Sequence, residues 1–139
     1  MFTSISARSA NAYKRVSVES SVSDASPHKL VEMLFEGLLS NVGSAAAALE
    51  RGDVKAKCQH VIVAVRILEE GLKGALNLKE GGDLAANLNG VYDYCVTRLT
   101  LANVRNDLTL LQEVRDLIMP VADAWKQIAA DSGSQPLPN

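Results

Sequence analysis

Three short breaks divide residues 26–131 of this chain into four segments, each periodic enough and long enough to be a helix. The breaks are Arg51-Gly52-Asp53, Glu80-Gly81-Gly82-Asp83 and the stretch Asn103 to Asp107. Glycine stops the first two helices, Asp53 and Asp83 stand ready to cap the second and third, and Asn103 to Asp107 makes the last turn. Connections this short fold consecutive helices back on each other. The expected fold is therefore all-α, an antiparallel up-down-up-down four-helix bundle with an N-terminal arm. The arm spans 1–25, polar and Ser-rich with a short amphipathic stretch around Ser4 to Val16. The bundle spans 26–131, and 132–139, with Pro136 and Pro138, reads as a disordered tail.

The first helix has a clear start at Ser26-Pro27, a capping hydroxyl ahead of a proline at the first helical position. Leu30, Val31, Leu34, Leu38, Val42, Ala45 and Leu49 then recur at three and four. The third helix, capped by Asp83, has the seam Leu84, Leu88, Val91, Tyr92, Cys95, Leu99 and Ala102.

The second and fourth helices carry more apolar surface than one bundle needs. On the second, Asp53 to Lys79, the residues Val54, Cys58, Val61, Ile62, Val65, Leu68, Leu72 and Leu76 line one face. Ala56, Val63, Ile67, Gly74 and Leu78 line a nearly opposite one. On the fourth, running to about Ala130, Leu111, Val114, Ile118, Ala122, Trp125 and Ala129 form one stripe. Leu110, Leu117, Val121, Ala124 and Ile128 form an adjacent one, wider together than the roughly 100° a surface helix uses. Pro120 removes the bond to the Asp116 carbonyl, so a kink is expected there. A small protein keeps a surplus stripe where something binds. Val63, Ile67, Leu110, Leu117 and Val121 are the candidate groove residues, although the handedness of the bundle decides which stripe faces inward.

Composition supports a helical chain and narrows the function. Of 139 residues, 47% are hydrophobic but only 4% aromatic, so Leu, Val, Ile and Ala do the packing. A formal net charge of −2 argues against a general affinity for nucleic acid or anionic membrane. No run reaches the roughly 18 apolar residues of a membrane span, and Met1 to Tyr13 lacks a secretory h-region. Cys58 and Cys95 read as reduced, buried thiols of a cytoplasmic protein.

Chemistry is hard to place. Neither His28 nor His60 stands three residues after a glutamate, as a di-iron bundle requires. Two histidines and two scattered cysteines give no zinc spacing. Gly81-Gly82 lacks the remainder of a phosphate-binding signature and reads as a turn. His60 is a poor phosphotransfer site, since it precedes Val61-Ile62-Val63 and has no lysine one turn later; it reads as a polar residue at the rim of an apolar face. No catalytic residue, cofactor or metal site is expected.

The segments Ser9-Ala-Asn-Ala-Tyr13-Lys-Arg-Val16 and Ala25-Ser-Pro-His-Lys-Leu30-Val-Glu-Met-Leu34-Phe-Glu-Gly37 resemble the start of a FliS-type flagellar export chaperone. Asn87-Leu-Asn-Gly-Val-Tyr92-Asp-Tyr94, Leu99-Thr-Leu-Ala-Asn103 and Trp125 are similar to its later helices. The likeness runs from about Ser9 to Trp125. It implies a cytoplasmic helical bundle that binds the disordered C-terminal segment of flagellin and prevents early polymerisation. It also implies delivery to a component of the flagellar type III export gate. The family's arm tyrosine, matched by Tyr13, implies an arm that covers part of the groove until ligand displaces it. A homodimeric helical module without peptide affinity is the alternative use of the surplus stripes.

Overall fold

The computed structural model describes residues 26–134, all-helical apart from the turns, with no strand among the described residues. The arm, with Tyr13, and the last five residues lie outside the described residues. Helix α1 spans Pro27–Glu50, with the Ser26 hydroxyl accepting from the Lys29 amide at 3.1 Å. Its buried face is Met33, Leu34, Phe35, Leu38, Val42, Ala45 and Ala48, while Leu30, Val31 and Leu49 sit half-buried at the flanks. Gly52, at φ +79°, turns the chain, and the Asp53 amide reaches back to the Ala48 carbonyl at 2.8 Å. Asp53 then caps α2, accepting from the Ala56 amide at 3.0 Å.

The second helix departs from the sequence expectation. Helix α2 proper is Val54–Arg66, with Lys57, Val61 and Ala64 buried. It continues as a π-helical segment, Ile67–Leu72, in which Ile67, Leu68, Gly71 and Leu72 are all buried. A single α-helical turn, Lys73–Ala75, follows, and Leu76 is extended. The helix therefore ends before Lys79. A π turn closes a longer ring than an α turn, so a run of it can bury residues that a straight α-helix would place on separate faces. Ile67, whose amide still bonds the Val63 carbonyl as in an α-helix, is buried beside Ala64 and Leu68, so the core meets this helix on a face turned from the one expected, while Val54 and Ile62 are exposed.

Helix α3 spans Gly82–Arg105 and begins one residue before the expected cap. Gly82 takes the positive φ of +57°, and no side chain caps the helix; Asp83 lies inside the first turn, where its charge suits the helix dipole. Ala85, Tyr92, Cys95, Leu99 and Ala102 are buried, whereas Leu84, expected in the seam, is 68% exposed. Asn106 ends α3 in the left-handed region, donating to the Ala102 carbonyl. Asp107 starts α4 by accepting from the Thr109 amide at 2.9 Å.

Helix α4 spans Leu108–Ser134, longer than expected, and passes through Pro120 as one helix. Asp116 and Pro120 are both exposed, so the carbonyl deprived of its donor lies where water reaches it. Leu110, Leu111, Val114, Ile118 and Ala122 are buried.

Helix α1 packs on α2 and α4, and α3 packs on α4 and α2. Cross-links show how they lie. Asn41 of α1 bonds His60 of α2, and Lys73 pairs with Asp93 of α3. Arg98 of α3 pairs with Glu113 of α4, and His28 of α1 bonds Trp125 of α4. One continuous apolar core fills the centre, with Phe35 and Tyr92 tilted against each other at 6.4 Å. Within it Lys57 is wholly enclosed. Its ammonium donates to the Asn103 carbonyl and to Asn103 Oδ1, both at 2.7 Å, placing a positive charge at the carboxyl end of α3.

Candidate partner-binding surface

The inner stripe of α4 closes the core, which leaves the neighbouring stripe to face outward beside α3. Leu117 is 38% exposed, Ile128 52%, and Val121 half-buried. Across from them on α3, Leu84 is exposed and Leu88 and Val91 are half-buried. A groove of about 540 Å³ opens between the two helices, lined by Asn87, Gly90, Val91, Tyr94, Glu113 and Leu117. Gly90 has open space where a Cβ would stand, so the groove floor admits close approach there.

A polar cluster closes one end of this groove. The Tyr94 hydroxyl donates to Glu113 Oε2 at 2.5 Å, and Arg98 Nε donates to Oε1 at 2.8 Å. The Arg98 guanidinium also lies 5.4 Å from the Tyr94 ring centre. Those two bonds, Tyr94's first, hold the Glu113 carboxyl below the usual range. Reciprocally, the bond to Glu113 raises both the Tyr94 phenol and the Arg98 guanidinium. The cluster pins α3 to α4 beside the apolar lining.

A second cavity, of about 460 Å³, lies where α1 begins, lined by Ser26, Pro27, His28, Leu30, Val31, Ala75 and Trp125. His28 and Trp125 stack at 4.1 Å and bond reciprocally. The indole N–H donates to the His28 carbonyl at 3.0 Å, and His28 Nε2 donates to the Trp125 carbonyl at 3.2 Å.

The residues expected to form one groove are distributed over several places. Leu117 and Val121 lie on the open α4 stripe. Val63 is half-buried on the flank of α2 that carries His60, which reaches Asn41 of α1. Since α2 packs chiefly on α1 and α3, this flank is remote from the α4 stripe. Ile67 is wholly enclosed and Leu110 is only 7% exposed, so both belong to the core. Tyr13 is outside the described residues. His60 is held in the α1–α2 contact, its Nδ1 at 2.9 Å from Asn41 Oδ1.

Sequence reasoning missed the Tyr94–Glu113–Arg98 cluster, whose partners lie on different helices and share no spacing signal. It also missed Lys57, although a lone cation on the same azimuth as Val61, Ala64 and Leu68 was a usable sign. Cys95 is buried as expected, its thiol pushed up to about 11 by burial, but Cys58 is only half-buried. Among the described residues, no group of three or more His, Cys, Asp or Glu side chains could hold a metal ion. No described helix is long and apolar enough to cross a membrane.

Relatives give this surface its context. The model of the family described as "Flagellar protein FliS" matches residues 9–132. The flagellar secretion chaperone FliS of Salmonella typhimurium is 47% identical over 124 residues, covering 89% of this chain and 92% of the relative. FliS of Vibrio cholerae is 39% identical over 120 residues, covering 86% and 88%. The flagellar secretion chaperone FliSB of Pseudomonas aeruginosa is 40% identical over 117 residues, covering 84% and 92%. With a family match over most of its length and relatives this similar, the chain belongs to the FliS family of flagellar secretion chaperones.

Proposed function

We propose that this protein is a cytoplasmic export chaperone for flagellin, binding the subunit's disordered C-terminal segment and holding it from polymerising before delivery to the flagellar export gate. The observation that carries this reading is the open apolar stripe of α4, with Leu117, Val121 and Ile128 facing outward beside α3, in a chain related to flagellar secretion chaperones. A segment that forms an amphipathic helix as it docks buries its apolar face in such a groove. The entropy lost on ordering keeps the net affinity moderate for the area covered, which suits a cargo that must later be released.

In this reading the four helices run alternately up and down. Leu117 and Val121 contact cargo, and Val63 lies on a further stretch of the cargo's path around the bundle. Leu110 and Ile67 support the surface from beneath. The arm, 1–25, covers part of the surface in the free protein, with Tyr13 as its plug, and cargo displaces it. Titration calorimetry against flagellin from the same organism, with and without its C-terminal segment, tests the proposal. Binding that requires the segment and has a strongly negative heat-capacity change supports it. Binding to neither form removes it, and a homodimer through the same stripe then becomes the reading to pursue.

A further inference from the structure

The second helix keeps an apolar stripe that neither the core nor the α4 groove uses. Its inward residues are Lys57, Val61, Ala64, Ile67 and Leu68. Turned away from them, Cys58 and Val65 are half-buried and Ile62 is 53% exposed. Lys55 and Glu69, both exposed, continue the stripe at its two ends. Positions 55, 58, 62, 65 and 69 recur at three, four, three and four, the spacing of a seam between two packed helices. On the neighbouring flank of α3, the exposed Thr97 and Thr100 donate to the Asp93 and Val96 carbonyls at 3.2 and 2.8 Å. Their hydroxyls are thus spent on their own helix and ask nothing of a partner.

The charges at the ends say what fits. Arg66 pairs with Glu70 at 3.9 Å and Lys73 pairs with Asp93, so both cations within helical reach of Glu69 are engaged elsewhere. Asp53 pairs with Arg51 at 3.6 Å, and no acid stands one turn after Lys55. Lys55 and Glu69 therefore have no ion pair among the described residues. They stand seven residues either side of Ile62, opposite in sign.

We infer that this stripe is an interface between two copies of the chain, whose second helices pack antiparallel about a twofold axis at Ile62. The two Ile62 side chains then meet at the axis, Cys58 packs on the partner's Val65, and Lys55 pairs with the partner's Glu69. Symmetry makes each of the off-axis contacts twice. A stripe with an apolar centre and ends of opposite charge is complementary to itself reversed, which singles out a second copy from other helical partners. Since α2 packs chiefly on α1 and α3, the pair leaves both α4 stripes open, and it holds whatever the cargo.

Analytical ultracentrifugation of the full chain from about 1 μM to about 300 μM, a range that reaches weak association, tests this. Wild type is expected to pass from monomer to dimer as concentration rises. Lys55→Glu and Glu69→Lys each bring like charges together at both ends of the seam, and each is expected to weaken the dimer roughly tenfold. The double variant Lys55→Glu, Glu69→Lys restores opposite charges and is expected to dimerise like wild type. Both positions are exposed, so melting curves at low concentration should coincide. Leu117→Asp, on the α4 stripe, is expected to dimerise like wild type. A chain that stays monomeric throughout would overturn the interface, as would a dimer indifferent to the single changes or a double variant that does not recover. Loss of the dimer in Leu117→Asp would also overturn it, by placing the contact on α4.

Discussion

Helix α4 carries two stripes of the same chemistry with opposite fates. Leu111, Val114 and Ile118 are fully enclosed by α1 and α3, while Leu117, Val121 and Ile128, on the adjacent azimuth, remain open. Neither hydrophobicity nor helix propensity separates the stripes; only the neighbours do. The inner stripe holds the fold together; of the outer one, Leu110 joins the core and Val121 packs partly against it, while Leu117 and Ile128 are left free to serve a partner.

The comparison breaks most readily at the inner stripe. Ile118→Ala leaves a cavity in a closed core and should cost about 2–5 kcal/mol in thermal or denaturant unfolding. Ile67→Asp should abolish folding outright, since its side chain has no exposure and a buried, unpaired carboxylate is not tolerated. Lys57→Met comes next. It leaves the Asn103 carbonyl and amide oxygens without their donor, an expected loss of about 1–3 kcal/mol in the same assay. If Ile118→Ala melted like wild type, the inner stripe would not be the core.

The outer stripe should respond in the reverse sense. Leu117→Asp should leave the melting temperature near that of wild type while weakening cargo binding at least roughly tenfold, as expected for an anchor in a hydrophobic groove. The smallest effect belongs to the polar cluster at the groove's end. Its bonds hold the Glu113 carboxyl below the usual range, so they are intact at neutral pH. They are lost only as pH falls through that lowered value. Glu113 is well hydrated, so Glu113→Gln should barely alter melting at pH 7, and its small difference from wild type should vanish in acid.

Much of this fold was legible in the sequence because caps and periodicity are local. Ser26-Pro27 and Gly52-Asp53 each act within a few residues of the helix ends they define. The inner stripes of α1 and α4 followed from the same periodicity. The second helix was less legible, since a wheel drawn at α-helical pitch assumes a winding that Ile67–Leu72 does not keep. Ile67 was misplaced because the core meets this helix at the azimuth of Lys57, Ala64 and Ile67, whereas Val54 and Ile62 of the expected inner face are exposed. Leu110 was misplaced for another reason: it lies near the α3–α4 turn, where the core reaches across both stripes. The Tyr94–Glu113–Arg98 cluster depends on how two helices dock, which no single-helix pattern encodes.

The outer stripe as the cargo site is tested most directly by one calorimetric comparison. Wild type and a Leu117→Asp, Ile128→Asp double variant, both changes at exposed positions of the outer stripe, would each be titrated with the flagellin C-terminal segment, after matched melting curves. We expect wild type to bind with a negative heat-capacity change and the variant, equally folded, to give no binding heat. Undiminished binding by the folded variant would contradict the assignment and move the site elsewhere on the bundle.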